Sequence, residues 1–253
     1  MAKLTTYALA GALAIALAPT MGRAADLPEP PLLEPIEPVE FGSAWYLRGD
    51  VGYKFYRDPS ARFLDPAYKG VDKYRKENLD EAFIFGGGVG YKFNEWFRTD
   101  VTVDYETKAD FGGKLWCIGC ATKGLYSDER AKISALTFLA NAYFDIGTWH
   151  GFTPYVGAGI GTSRVNVDDY RYTNPNGSKG KIGGDHKWNL AWALMAGVGY
   201  EVSDNITIDA NYRYVDLGEG RTKRVAGVTG GHRVKIDDIA AHEIRLGVRY
   251  TLD

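Results

Sequence analysis

The chain has 253 residues, with 30 Lys and Arg against 32 Asp and Glu, so its formal net charge is −2. A balance this close to neutral argues against nucleic acid as a partner, because nucleic-acid-binding domains carry a clear basic excess. Beyond the N-terminal region no segment approaches 18 consecutive apolar residues, which argues against a transmembrane helix. The length fits one or two soluble domains or a single barrel.

The first 24 residues have the layout of a secretory signal peptide. Lys3 supplies the positive charge, and an apolar run rich in Ala and Leu follows over residues 7–19. Gly22 and Ala24 place small residues at the predicted cleavage site. The run is shorter than the roughly 20 residues that a spanning helix needs. We therefore expect export and removal of residues 1–24.

Residues 25–44 are rich in proline and acidic residues. Proline lacks a backbone donor and fixes φ, so this segment is predicted to be extended and excluded from a sheet interior. We interpret it as a solvated periplasmic leader, with a docking site for a partner domain as the alternative.

From residue 45 to residue 253 the sequence repeats one pattern, a stretch of about ten residues that alternates apolar with polar or small side chains. Period-two alternation is typical of a strand with one apolar face. The sixth stretch shows it most clearly, with Trp188, Leu190 and Trp192 alternating with Asn189 and Ala191. The eight predicted strands cover residues 45–55, 81–93, 96–107, 133–144, 153–165, 188–202, 206–215 and 242–252.

The connections between these strands alternate in length. Residues 94–95, 145–152 and 203–205 are short, whereas residues 57–80, 108–132, 166–187 and 216–238 are long and polar. Short turns at one end and long excursions at the other indicate two different environments, as in outer-membrane barrels with periplasmic turns and external loops.

Two all-β structures fit this pattern, a soluble lipocalin-like barrel with the apolar face inside and a membrane barrel with that face outside. Three observations favour the membrane barrel. The glycines lie on the charged face, where a narrow eight-stranded lumen needs small residues. Aromatic residues on the apolar face concentrate near the strand ends, as in interfacial girdles. The strands also reach the roughly 9–11 residues of a tilted transmembrane strand. We therefore predict an eight-stranded antiparallel up-and-down barrel with four long external loops.

At this point the chain resembles the small eight-stranded outer-membrane β-barrels of Gram-negative bacteria, of OmpA and opacity-protein type. The resemblance covers residues 45–252 and rests on PYVGAGIG at 154–161, NYRY at 211–214 and RLGVRYTL at 245–252. It implies location in the outer membrane, with lipid and lipopolysaccharide as surroundings. It also implies that the barrel-assembly machinery inserts the chain, because the last strand is similar to the signal that this machinery recognises. Arg245, Gly247, Tyr250 and Leu252 match that signal, whereas the terminal Asp253 departs from it.

Charged residues of both signs are predicted to face the lumen. In a narrow lumen they should pair, because isolated buried charges are costly. We interpret them as a salt-bridged plug, with a thin or gated ion path as the alternative. The predicted network contains Arg48, Asp50, Lys54, Arg98, Asp100, Asp104, Glu106, Asp209, Arg213, Glu243, Arg245 and Arg249, and Glu201 is also expected to face inward.

Two features of the predicted loops are candidates for local chemistry. Cys117 and Cys120 are the only cysteines, and in an exported chain we expect a disulfide between them. The last long connection is basic, and its external rim could bind lipopolysaccharide phosphates through charge-assisted hydrogen bonds; an ordinary solvated loop is the alternative. The candidate contacts are Arg221, Lys223, Arg224, Arg233 and Lys235.

No cofactor, metal site or enzymatic activity is predicted. The four histidines are dispersed, and no Ser, His and carboxylate constellation is readable. The leading functional hypothesis is a structural outer-membrane barrel that supports envelope integrity and presents external loops. The alternatives are a surface adhesin or a receptor for a host or small-molecule ligand such as haem, and a narrow porin.

Overall fold

The computed structural model of the protein describes residues 44–118, 124–225 and 232–252, which all belong to one compact unit. The predicted signal peptide and nearly all of the predicted leader lie outside the described residues, as does Asp253. Among the residues described, none forms a helix long and apolar enough to cross a membrane. A single turn of 3-10 helix occurs at Pro66–Tyr68.

The described residues form fourteen strands, numbered in chain order. They are β1 (Trp45–Tyr56), β2 (Ser60–Leu64), β3 (Arg75–Leu79), β4 (Ala82–Lys92), β5 (Phe97–Trp116), β6 (Tyr126–Asp145), β7 (Phe152–Val167), β8 (Tyr170–Thr173), β9 (Lys179–Ile182), β10 (Asp185–Glu201), β11 (Ile206–Asp216), β12 (Gly220–Arg221), β13 (Arg233–Asp237) and β14 (Ala240–Thr251).

Eight of these strands close into a ring. The strands β1, β4, β5, β6, β7, β10, β11 and β14 each pair antiparallel with the next in chain order. The last strand, β14, pairs with β1 in a register that places Val51 opposite Leu246 and Phe55 opposite His242. The predicted eight-stranded up-and-down barrel is therefore confirmed.

The two faces of the barrel wall differ sharply. On the outside Leu190 is 69% exposed and Ile244 is 63% exposed, whereas the inward-facing Lys54 and Arg98 are both 0% exposed. A slip of one residue would turn the charged set into hydrocarbon, at about 2–4 kcal/mol for each basic residue near the midplane. This cost fixes the register, with the apolar face towards lipid.

The barrel strands extend beyond the predicted ends. The predicted strands stop at residue 107 and resume at residue 133, but β5 and β6 each run for 20 residues. The reason is a hydrophobic core, which the external halves of these strands bury on their inner side. The other predicted long connections also contain strands, namely β2 and β3, β8 and β9, and β12 and β13.

This external core consists of buried apolar side chains from the strands that project beyond the membrane. Phe111 and Leu115 of β5 pack with residues of β6, β7 and the short external strands. Three of those short strands form a separate sheet in the order β12-β13-β2. The core includes Ala61, Tyr74, Ala109, Phe111, Leu115, Ala131, Ile133, Val165, Val167, Tyr170, Ile182, Leu217, Val234, Ile236 and Ile239. We call the folded part that it holds together the external platform.

Candidate functional site

The middle of the lumen is held by a carboxylate that two arginines share. Asp104 accepts hydrogen bonds from Arg213 Nη1 at 2.8 Å and from Arg245 Nη2 at 2.6 Å. Arg213 Nε also donates to Glu243 Oε2 at 2.6 Å. All four side chains are almost fully buried, so each charge depends on its partner for compensation.

On the external side of the Asp104 cluster, a second layer of buried ion pairs is centred on a lysine. Lys54 Nζ lies 2.5 Å from Glu106 Oε1 and 2.9 Å from Glu243 Oε1. The Tyr56 hydroxyl donates to the second oxygen of Glu106 at 2.9 Å. One buried ammonium thus bridges carboxylates from β5 and β14, which lie on opposite sides of β1 and β4.

On the periplasmic side of the Asp104 cluster, a third layer of buried ion pairs is centred on Arg48. Its guanidinium donates to both oxygens of Asp50, at 2.9 and 2.8 Å, and reaches Asp100 Oδ2 at 2.8 Å. Such forked contacts hold both planes in one geometry. The Tyr143 hydroxyl accepts a further hydrogen bond from Arg48 at 2.8 Å, which ties β6 to the same group.

Near the periplasmic turns Arg98 pairs with Asp145, which the sequence analysis assigned to a connection. Arg98 Nε lies 3.1 Å from Asp145 Oδ1, and its guanidinium sits 4.1 Å and 4.5 Å from the ring centres of Tyr143 and Tyr155. Cation–π contacts of this kind stabilise a desolvated cation. Asp145 continues the inward positions of β6, so extending the alternation by one step would have found it.

Two predicted lumen residues lie near the periplasmic end of the barrel. Arg249 is partly exposed, and its Nε lies 2.9 Å from Asp209 Oδ2. Glu201, expected to face inward, is exposed at the end of β10. Glu201 has the same parity as the inward-facing Gly199, so it keeps to the inner side of the wall, but at this end of the strand it is exposed instead of buried in the charge network.

Glycine on β4 makes room for these ion pairs. A Cβ on Gly86 would overlap the Asp104 carboxylate and the Arg245 guanidinium. Because β4 carries so little bulk inside, side chains from β1 and β14 can reach carboxylates on β5 across it. The lumen-facing glycines therefore have a packing role in the network.

The residues that match the assembly signal have places in the folded barrel as well. Arg245 lies in the lumen network, and a Cβ on Gly247 would meet the Asp50 carboxylate. Tyr250 faces outward, and the Leu252 backbone N–H donates to the Trp45 carbonyl at 2.8 Å. The role of these residues as a signal stays a prediction.

The basic residues of the last connection fall into two groups, those paired with a carboxylate and those without such a pair in the described residues. Arg221 is paired with Asp185 at 3.1 Å, and Lys235 lies 2.7 Å from Asp237. Lys223 and Arg224 are exposed, and Arg233 is half-buried on β13. Within the described part of this connection, three of the five candidate contacts thus keep their charge available.

The predicted disulfide lies at the external end of β5. Cys117 directly follows this strand, and the described residues contain no free cysteine. Cys120 lies outside the described residues, so the bond between the two stays a prediction. Across the described ranges no group of His, Cys, Asp and Glu is arranged to hold a metal ion.

A buried acid lies in the external platform, outside the membrane-spanning part. Glu129 on β6 is 4% exposed and accepts a hydrogen bond from the Ser127 hydroxyl. The Tyr170 hydroxyl lies beside the same carboxyl and bonds to the Tyr74 hydroxyl at 2.9 Å. Burial raises the pKa of Glu129 to about 7, and the groups beside it in the described structure are hydroxyls and the Asp128 carboxyl. Glu129 falls inside a connection that was predicted to be a loop, where residue alternation gives no signal for a buried acid.

A closed antiparallel ring of eight strands, apolar outside, charged inside and with short turns at one end, defines an integral outer-membrane β-barrel protein. The chain belongs to the outer membrane protein beta-barrel domain family, which it matches over residues 10–251. The predicted family and outer-membrane location are thus confirmed.

Three relatives cover most of the chain. An uncharacterised protein of Brucella abortus is 32% identical over 90% of this chain and 91% of its own length. Outer membrane protein PagN of Salmonella typhimurium is 29% identical over 66% of this chain and 72% of its own. A Rickettsia felis protein described as a candidate adhesin is 26% identical over 85% and 90%.

Proposed function

We propose that this outer-membrane barrel is closed to ions and acts through its external platform. The observation that carries the proposal is the filled interior, because three layers of paired charges are followed by the external core. Eight strands leave a lumen only wide enough for side chains. The narrow-porin alternative is therefore disfavoured.

Planar-bilayer recording on the purified protein tests the closed lumen. We expect no steady conductance above the bare bilayer, whereas a 16-stranded porin in the same bilayer provides the conducting control. A steady, large single-channel conductance from the folded protein would overturn the proposal.

We propose surface recognition, rather than envelope support alone, as the role of the platform. The buried core gives the external strands a defined shape, which pre-organises a binding surface. Apolar side chains also project from its outer end, where Ile118 is 42% and Leu125 is 38% exposed. The relative described as a candidate adhesin supports this choice over the envelope role.

Binding of host cells by bacteria that display the protein tests recognition. The Ile118→Asp, Leu125→Asp double variant is expected to reduce binding, and Asn176→Asp, an exposed change in the β8–β9 turn, is the matched control. Heat-dependent gel mobility shows that each variant is folded. Equal binding by all three proteins would contradict recognition through this surface, and an envelope defect without the protein would favour the structural role.

Lipopolysaccharide is proposed as a second partner of the platform. Lys223, Arg224 and Arg233 are candidates for phosphate contacts, because Arg221 and Lys235 already have carboxylate partners. Replacing the first three by Gln is expected to reduce co-purified lipopolysaccharide, whereas Gln at the two paired positions should have a smaller effect. Unchanged co-purification in both variants would refute the contact.

Two further expectations remain proposals. The barrel-assembly machinery is proposed to recognise the last strand, and Tyr250→Ala, an outward-facing change, is expected to slow insertion. The protein is proposed not to be an enzyme, because its four histidines are dispersed along the chain and one of them, His242, faces lipid and pairs with the Tyr212 hydroxyl at 2.6 Å. Turnover of a general ester or peptide substrate would contradict the latter.

A further inference from the structure

The lipid-facing wall of the barrel contains a depression of about 780 Å³ that crosses β4, β5, β6 and β7. Its floor is made of small side chains, Thr99, Ala140, Ala142 and Ala158, and the rings of Trp45 and Tyr91 stand at one side. We call this depression the wall groove. Most of a barrel exterior carries larger side chains, so the groove interrupts an otherwise convex surface.

The strand register produces the groove. Trp45 lies opposite Tyr91, Tyr91 opposite Thr99, Thr99 opposite Ala142, and Ala142 opposite Ala158. One row across five strands therefore changes from two large rings to three small side chains. The rings of Trp45 and Tyr91 are packed edge to face with their centres 5.3 Å apart, which holds that side of the groove in place.

The groove lies in the periplasmic half of the membrane-spanning part. Thr99 is the third residue of β5, which begins at Phe97 directly after a short turn. On the turn side of the groove stands an aromatic row, and its Phe93 also lines the groove. In this row Phe97 lies 5.5 Å from Phe93, and Phe144 lies 5.4 Å from Trp96, ring centre to ring centre. Such rows mark the membrane interface.

We propose that the wall groove binds an acyl chain of a phospholipid from the periplasmic leaflet. The groove is continuous with the exposed apolar band that already faces lipid, and apolar side chains make up most of its lining. Water would find few hydrogen-bond partners in this apolar groove. An empty groove would lose dispersion contacts along its floor. A hydrocarbon chain restores those contacts without placing a polar group in the membrane.

The shape favours a lipid chain over a second copy of the protein. A second barrel presents a convex wall, and two convex walls touch along a narrow strip. A flexible chain can instead follow the floor between the aromatic side and Ile160 on β7. Recognition therefore rests on the tail, so phospholipids with different headgroups and the same tails should bind equally.

Native mass spectrometry of the full-length protein tests the site. The protein is delipidated in detergent and then given phosphatidylethanolamine or phosphatidylglycerol with identical tails. We expect one retained phospholipid per protein with either headgroup. Ala142→Phe should fill the floor and weaken retention about tenfold, the effect of losing burial for roughly two methylene groups.

Ala196→Phe is the matched control, because Ala196 also faces lipid but lies on β10 outside the groove. Its retention should equal that of the wild type. If Ala142→Phe does not fold, as judged by heat-dependent gel mobility, Ala140→Leu takes its place. Equal retention by the groove variant and the control, or no retained lipid in the wild type, would overturn the proposal. A protein dimer that the groove variant abolishes would assign the groove to a second copy instead.

Discussion

Replacing Glu129 by Gln is expected to stabilise the external platform above pH 7 and to leave it nearly unchanged below pH 4.5. Glu129 is buried beside Ser127 and Tyr170, and its pKa rises from the ordinary value of 4.5 to about 7. The folded platform therefore retains this proton at pH values where the opened platform has already lost it. Glutamine has a similar shape and does not titrate, so it removes the pH-dependent cost alone.

The sign follows from proton binding. Below pH 4.5 both states hold the proton, and stability is at its full value. Between pH 4.5 and 7 stability falls as pH rises, because only the folded state binds the proton. Above pH 7 the carboxylate is buried without a cation beside it in the described structure, and the accumulated loss is about 3 kcal/mol. This loss corresponds to an increase of about two orders of magnitude in platform opening.

Amide hydrogen exchange on the folded protein provides the assay, with peptides from β3, β6 and β8 followed at pH 5.5 and pH 8 after correction for the intrinsic exchange rate. The wild type should lose protection in these peptides at pH 8, and Glu129→Gln should not. Asp110→Asn is the control, since Asp110 is an exposed carboxylate on the neighbouring strand β5 and pairs with Lys132. Parallel loss of protection in the wild type and in Glu129→Gln would refute the reasoning.

Three further predictions concern the wall, the lumen and the external end of β5. Arg245→Ala should lower stability by about 3–5 kcal/mol, because it leaves buried carboxylates without their partner; an unchanged heat-modification midpoint on gels would contradict this. Gly161→Ala should impair folding, since its Cβ would overlap the backbone of β6, whereas Gly49→Ala meets nothing within 4 Å and should be neutral. Equal effects of the two glycine changes would contradict the packing argument. Alkylation of Cys117 and Cys120 should occur only after reduction, and two reactive thiols in the native protein would rule out the disulfide.

The alternation in the sequence was sufficient for the barrel itself because each membrane-spanning residue meets one of two very different surroundings. Val101, Val103 and Tyr105 are exposed to lipid, and their neighbours Thr102 and Asp104 are buried. A pattern with that contrast identifies both the strand and the face that each side chain takes.

The external half of β5 could not be read in the same way because a bulge reverses its faces. The register with β6 shifts between Glu106 and Ala109, after which Lys108 and Asp110 point outward. Apolar residues stay at odd positions along the strand, but Phe111 is inside whereas Tyr105 is outside. One inserted residue is enough for this change, and alternation alone does not reveal it.

Which charged residues pair with each other within the lumen could not be predicted from the sequence either. Alternation places Arg48 and Asp100 on the inner face, but it does not say that one reaches the other across β4. That contact depends on the small side chains of β4 and on the curvature of the closed ring. The approach of Asp104 by Arg213 of β11 likewise depends on which strands face each other across the lumen.

The ion pairs of the shared carboxylate in the middle of the lumen can form only when all eight strands have joined the ring. Asp104 belongs to β5, but both of its arginines come from β11 and β14, which follow much later in the chain. Until the ring closes, Asp104 has neither arginine, and Lys54 of β1 lacks Glu243 of the last strand. A partly built barrel therefore carries charges that hydrocarbon rejects, and the same side chains that block the finished lumen make a stable intermediate without the last strand costly.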